Sequence, residues 1–223
     1  MSDKVKALKD YQGILGLARI GNNKFSLGLK GLLAAYSENP SPRYAQAISY
    51  AYIKTGKPIE GRDFLEAHVK EFPRDYSSCL SLAGQFMPVN EKKATVLFEQ
   101  ALLGMQKNIF LLNNLALLHL KQSNTTKAEF YIDKAINIAP SNITILDTYA
   151  QVLLATNKLD QAIKIYQVIH QENRLTDRYK INYVEALIEK GDLVLADSIL
   201  SSVNSDDKDI KKEVERLYKV ISK

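Results

Sequence analysis

Three histidines, one cysteine and one adjacent pair of acids are the first residues of this chain whose types could do chemistry. His68, His119 and His170 would have to converge, with a fourth ligand, to hold zinc. Their wide spacing places them in different segments, which argues for packed imidazoles instead. Cys79 stands alone, so neither an intrachain disulfide nor a multi-cysteine metal cluster is available. It falls at the same repeat position as Leu112 and Leu146 and reads as a small core hydrophobe. Asp206 and Asp207, with Ser205 before them, precede a strongly patterned segment and read as its candidate helix caps. There is no glycine-rich phosphate loop, no nucleophile elbow and no HExxH. The sequence therefore predicts no catalytic residue, no metal site and no cofactor.

Charge narrows the partners. The chain carries 30 Lys and Arg against 25 Asp and Glu, a formal charge of +5. The excess is concentrated in residues 1–41, with Lys4, Lys6, Lys9, Arg19, Lys24 and Lys30 against Asp3, Asp10 and Glu38. A nucleic-acid surface needs a basic stripe interleaved with stacking aromatics. None is present, so no nucleic-acid partner is expected. No apolar run approaches the roughly 18–20 residues of a membrane span. The opening MSDKVKALKD is too polar for a secretory signal. These features predict a cytoplasmic chain by default, or a periplasmic or envelope-associated one if it is a fragment of a larger protein.

The elements that must position these residues come from an internal repeat. With 46% hydrophobic and 25% charged residues, the chain has the composition of a folded domain. Residues 109–142 and 143–176 align without a gap. Leu112 matches Leu146, Leu115 matches Tyr149, Ala116 matches Ala150, Ala128 matches Ala162, and Ile132 matches Tyr166. Small residues at positions 8 and 20 let two helices approach; large ones at 4, 7, 11 and 24 fill the space between pairs. The same phase places Ser49 and Gly61 in 42–75, Gly16 and Gly28 in 9–41, and Ala83 in the one-residue-shorter 76–108. In 177–210 it places Val184 and Ala196. Pro40, Pro73 and Pro140 share position 32, where a second helix must stop. Residues 206–222 read as a closing helix with Ile210, Val214, Leu217 and Ile221 on one stripe. At the other end, Val5, Leu8, Tyr11, Ile14 and Leu15 spread apolar character around the first helix, which invites self-association.

This pattern resembles the tetratricopeptide repeat (TPR) superfamily over essentially the whole chain. The resemblance implies an all-α fold: a right-handed superhelix, an α-solenoid of about six helix-turn-helix repeats plus a C-terminal capping helix. It would form one solenoid over 1–223, with units 9–41, 42–75, 76–108, 109–142, 143–176 and 177–210. A narrower stretch, ILDTYAQVLLATNKLDQAIKIYQ with YKINYVEALIEKGDLVLADSIL, is similar to the C-terminal TPRs of bacterial exosortase- and exopolysaccharide-associated lipoproteins.

The superfamily resemblance implies that first-helix positions 2, 5, 6, 9, 12 and 13 line a concave, partner-binding face. These positions give Arg43, Tyr50 and Lys54 in the second unit. The fourth gives Phe110, Asn113, Asn114, Leu117 and Lys121. The fifth gives Asp147, Thr148 and Gln151, and the sixth Arg178, Asn182 and Glu185. Asn114, Thr148 and Asn182 recur at position 6, a possible ladder along an extended peptide. The Lys, Asn and Arg set that clamps a chaperone's C-terminal carboxylate is missing from any three consecutive units. The expected function is a non-catalytic protein-interaction scaffold in a bacterial envelope, secretion or exopolysaccharide system. A cytoplasmic adaptor or assembly chaperone is the alternative, with a nucleic-acid binder ranked last.

Overall fold

The computed structural model describes residues 3–171 and 176–222, with side chains omitted at 3–7 and 9. Val5, Lys4, Lys6, Lys9 and Asp3 thus lie outside the described side chains. Every regular element among the described residues is an α-helix. Residues Met1–Gln106 form one compact unit and Lys107–Lys223 a second.

The first unit holds three helix pairs: α1 (Asp3–Gly21) with α2 (Phe25–Glu38), α3 (Pro42–Lys54) with α4 (Pro58–Glu71), and α5 (Tyr76–Phe86) with α6 (Glu91–Leu102). The second holds α7 (Ile109–Lys121) with α8 (Thr125–Ile138), α9 (Ile143–Ala155) with α10 (Leu159–Gln171), and α11 (Asp177–Lys190) with α12 (Leu193–Ser201). A last helix, α13 (Lys208–Ile221), follows.

Local chemistry sets where these helices start and turn. Ser41, Asp75, Asn90, Asn108, Asn124, Asn142, Thr176, Asp192 and Asp207 each accept a backbone N–H from the first turn of the helix they precede. Such caps satisfy donors that have no partner within the helix. Four of the fourteen asparagines, Asn90, Asn108, Asn124 and Asn142, are spent on capping. Pro42 and Pro58 occupy first-turn positions, where a missing N–H costs nothing.

Five of the six turns within pairs use one device. Asn23, Gly56, Ser123, Asn157 and Gly191 share repeat position 15 and have φ between 58° and 83°. The next residue's N–H returns to the carbonyl four positions before this left-handed residue, as in Lys57 to Tyr52 (2.9 Å) and Asn124 to His119 (2.8 Å). The 76–108 unit, one residue shorter and carrying Pro88, lacks it.

The pairs close on small residues, as the spacing predicts. A Cβ on Gly28 would lie 2.9 Å from the Gly16 carbonyl oxygen, and one on Gly61 2.7 Å from that of Ser49. Ala116, Ala128, Ala150 and Ala162 are fully buried. In the second unit one core runs from Ala150 on α9 through Tyr166, Tyr183 and Leu200 to Leu217 on α13. Asp207 caps α13, and Ile210 and Leu217 bury its apolar stripe.

Candidate interaction surface

The first unit offers Arg43, Tyr50 and Lys54 on α3, all exposed. Tyr50 meets Phe25 edge-on at 5.8 Å, and the Lys54 ammonium lies 5.4 Å from its ring centre. The polar groups behind them bond one another. Gln46 donates to Ser77 Oγ at 2.8 Å, and Gln85 to Ser49 Oγ at 3.0 Å. These side chains stitch α3 to α5.

The second unit offers a more varied row. Phe110 on α7 is 73% exposed. Asn114 and Leu117 are half-buried, and Lys121 is exposed. Asn113 is 6% exposed, and its Oδ1 has no hydrogen-bond partner. Arg178 and Glu185 on α11 are exposed, and Glu185 pairs with Arg216 of α13.

The expected position-6 ladder does not form. Thr148 is 1% exposed, and its Oγ1 donates to the Thr144 carbonyl one turn back at 3.0 Å. Asn182 donates to Asp147 Oδ1 at 3.0 Å instead of facing outward. Of the three, Asn114 alone has no such internal bond among the described contacts. How deep a residue lies on a helix face is set by the neighbouring helices.

Asp147 is likewise an inward residue. It is 5% exposed, and its Oδ1 also accepts from Tyr166 at 3.1 Å while Oδ2 accepts from Gln151 at 2.7 Å. Helices α9, α10 and α11 thus meet on one carboxyl. Burial pushes its pKa above the usual carboxylate range, although bonds from Asn182, Gln151 and Tyr166 pull the other way. Tyr166 is held as a phenol, first by burial and then by the adjacent acid.

Sequence reasoning missed a second polar node. His68 is 2% exposed, as a packed imidazole should be. Its Nδ1 lies 2.6 Å from Tyr36 Oη and its Nε2 2.8 Å from Asp75 Oδ2. Asp75 also caps α5 through Ser78 N–H at 3.1 Å and accepts from Ser77 at 2.8 Å. Burial works to raise the Asp75 pKa, but bonds from Ser78, His68 and Ser77 outweigh it, and the net shift is down. The cap residue before α5 was the one signal that could have placed Asp75. Nothing local pointed to Tyr36, which arrives from the preceding repeat.

His119 is buried against Tyr131, with rings 5.5 Å apart and 8° from parallel. Burial pushes the Cys79 thiol up to about 11, so it stays protonated at neutral pH. Among the described residues, no three His, Cys, Asp or Glu side chains could share a metal ion, and no helix is long and apolar enough to cross a membrane.

Stacked antiparallel helix pairs with small residues at the crossing and prolines after second helices define an α-helical repeat protein. The tetratricopeptide repeat family model matches residues 111–142, which span most of α7, all of α8 and the turn that follows. A tetratricopeptide repeat protein from Parabacteroides merdae superposes with a TM-score of 0.77 at 11% identity, over 96% of this chain and 99% of that one. The pilF protein of Pseudomonas aeruginosa gives 0.68 at 15% identity, covering 89% and 91%. MamA protein gives 0.62 at 14% identity, covering 82% and 94%. No curated protein matches the sequence. The fold is that of tetratricopeptide repeat proteins, and the likeness at these identities concerns fold alone.

Proposed function

We propose that this chain is a non-catalytic scaffold that binds a protein or peptide partner on the first-helix faces of its repeats. The observation that carries this reading is the α7 face. Phe110 stands 73% exposed, with Leu117 and Asn114 half-buried on the same helix. A large aromatic held in water by a rigid helix is the kind of anchor that dominates protein interfaces. Tyr50, with Arg43 and Lys54 beside it on α3, supplies a similar but more basic face in the first unit. Arg178 and Glu185 supply exposed charge on α11. His68, His119 and Cys79 are buried, whereas His170 is exposed on α10, so the expected packed imidazole is not found there.

The test is retention. Immobilised wild-type chain and the Phe110→Ala, Asn114→Ala double variant are exposed to lysate of the source organism. Proteins held by the first and lost by the second support the reading. An identical set on both columns, with both chains folded by circular dichroism, overturns it.

A bacterial envelope, secretion or exopolysaccharide role belongs to the same proposal. It is supported by the similarity of residues 145–200 to bacterial lipoprotein repeats, and by similar folds from two bacteria. Recovery of the native protein with the envelope fraction is expected; recovery only with the cytosol favours the adaptor or assembly-chaperone alternative. Self-association rests on Leu8, Tyr11 and Ile14, which are 56%, 59% and 64% exposed along one side of α1. Light scattering that gives a monomer at high concentration would remove it.

A further inference from the structure

A notch recurs where the end of one repeat meets the second helix of the next, and its lining differs between the two units. In the first unit it runs from Pro40 to the end of α4, where His68, Glu71, Phe72, Arg74 and Asp75 line it. Charges of both signs stand there. In the second unit it runs from Pro140 to the end of α10, beside Leu146 of α9, and its volume is about 310 Å³. Pro40 and Pro140 share repeat position 32, and His68 and Ile169 share position 27. The architecture is the same and the chemistry is not.

Leu146, Ile165, Val168 and Ile169 make the walls of the second notch aliphatic, and Lys164 is its one charged lining residue. Val168 is 53% exposed, a branched apolar side chain left in water at the rim. Lys164 is exposed and forms no ion pair among the described residues. The acid one turn before it on α10, Asp160, is held by Lys190 at 2.5 Å. A cation without a counter-ion, set at an aliphatic notch, complements a ligand with one anionic end and a hydrocarbon body. Aliphatic walls offer no hydrogen bonds, so affinity would come from buried methylene groups and direction from the ammonium. Pockets that take small ligands begin at roughly 300 Å³. At roughly 30 Å³ for each methylene-sized group, this one holds a chain of about eight to ten carbons.

We infer that this notch is a binding site for a free medium-chain aliphatic carboxylate, its tail against Leu146, Ile165 and Val168 and its carboxylate on the Lys164 ammonium. None of these residues is on the first-helix faces proposed for the protein partner, so the site does not depend on that reading. The notch of the first unit is not expected to take the same ligand, because Glu71 and Asp75 line it.

The test is titration of octanoate into the full chain, followed by NMR. Saturable shifts are expected at the Leu146, Ile165 and Val168 methyls and none at the His68 ring. Butanoate, four methylenes shorter, is expected to bind at least roughly tenfold more weakly. Octylammonium, with the same chain and the opposite charge, is expected to bind about tenfold more weakly, because attraction to Lys164 becomes repulsion. Lys164→Gln should weaken octanoate about threefold and remove its advantage over octylammonium. Val168→Asp, at an exposed site that folding does not need, should lose octanoate binding with an unchanged circular dichroism spectrum. Absence of saturable shifts, equal affinity for octanoate and butanoate, or a preference for octanoate over octylammonium that survives Lys164→Gln would each overturn the inference. Binding to phosphatidylglycerol vesicles without any response to free octanoate would assign the notch to a lipid surface and overturn it as well.

Discussion

Each unit holds a carboxyl among polar side chains, Asp75 partly buried in the first and Asp147 buried in the second, and the two shift in opposite directions. Asp75 in the first unit ends with a lowered pKa, Asp147 in the second with a raised one. Both lose water. Asp75 recovers more, because it receives a backbone N–H at the start of α5, two serine hydroxyls and the imidazole of His68. Asp147 sits deeper and is met by two carboxamides and one phenol, with no backbone donor. The comparison teaches that a buried acid is tuned by the kind of donor around it and by its depth, and that a helix start is a strong place to hold an anion.

The largest effect expected within this comparison is at His68. His68→Ala removes a fully buried ring and strips Tyr36 and Asp75 of their shared partner. A loss of about 3–5 kcal/mol in unfolding free energy is expected by chemical denaturation. A loss under 1 kcal/mol would mean that the Tyr36–His68–Asp75 chain holds nothing together. Asp147→Ala comes next. It leaves Tyr166 and Asn182 without an acceptor, and about 2–3 kcal/mol should be lost; Asp147→Asn, which keeps an acceptor, should lose much less.

Acidity separates the two nodes by sign. Asp75 has a folded pKa below its unfolded value, so its stabilisation is present above about pH 3.8 and is lost as pH falls through the folded value. Asp147 has a folded pKa above its unfolded value. Its contribution is greatest below about pH 3.8 and declines as pH rises through the folded value. Measured from pH 7 down to 3, wild type should lose stability relative to Asp75→Asn and gain relative to Asp147→Asn. Parallel curves for the two variants would dissolve the contrast.

The smallest effect lies outside both nodes and serves as their control. Ser123 occupies the left-handed turn position that Gly56 and Gly191 fill in other repeats. A side chain in that conformation costs about 1 kcal/mol. Ser123→Gly should therefore raise stability by roughly 0.5–1 kcal/mol, with no change in its pH dependence. A destabilised Ser123→Gly would show that the serine makes up for the strain.

Legibility tracked how local each feature is. The helices followed from apolar spacing, and their pairing from Gly16 with Gly28 and Ser49 with Gly61, because a close crossing needs small residues at fixed offsets. The cap at Asp207 could be narrowed to three neighbouring residues, since a cap acts within one turn. Positive φ at Gly56 or Gly191 is natural for glycine, whereas Ser123 gave no sign of it. The proposed partner face was legible as a helix face only. Phe110, Arg43 and Lys54 are outward on it, while Thr148 and Asp147 are closed off by contacts within and between helices.

By itself the sequence determined an all-helical repeat: which segments become helices, where prolines and caps bound them, and which small residues let them touch. Those are short-range consequences of backbone hydrogen bonding and side-chain volume. Only the tertiary structure decided which polar residues are spent inside. Asp147 meets a phenol 19 residues away and a carboxamide 35 away, and His68 meets a tyrosine 32 away. A residue's burial and bonding are set by what packs over it, and in stacked helix pairs that neighbour comes from the paired helix or from an adjacent repeat.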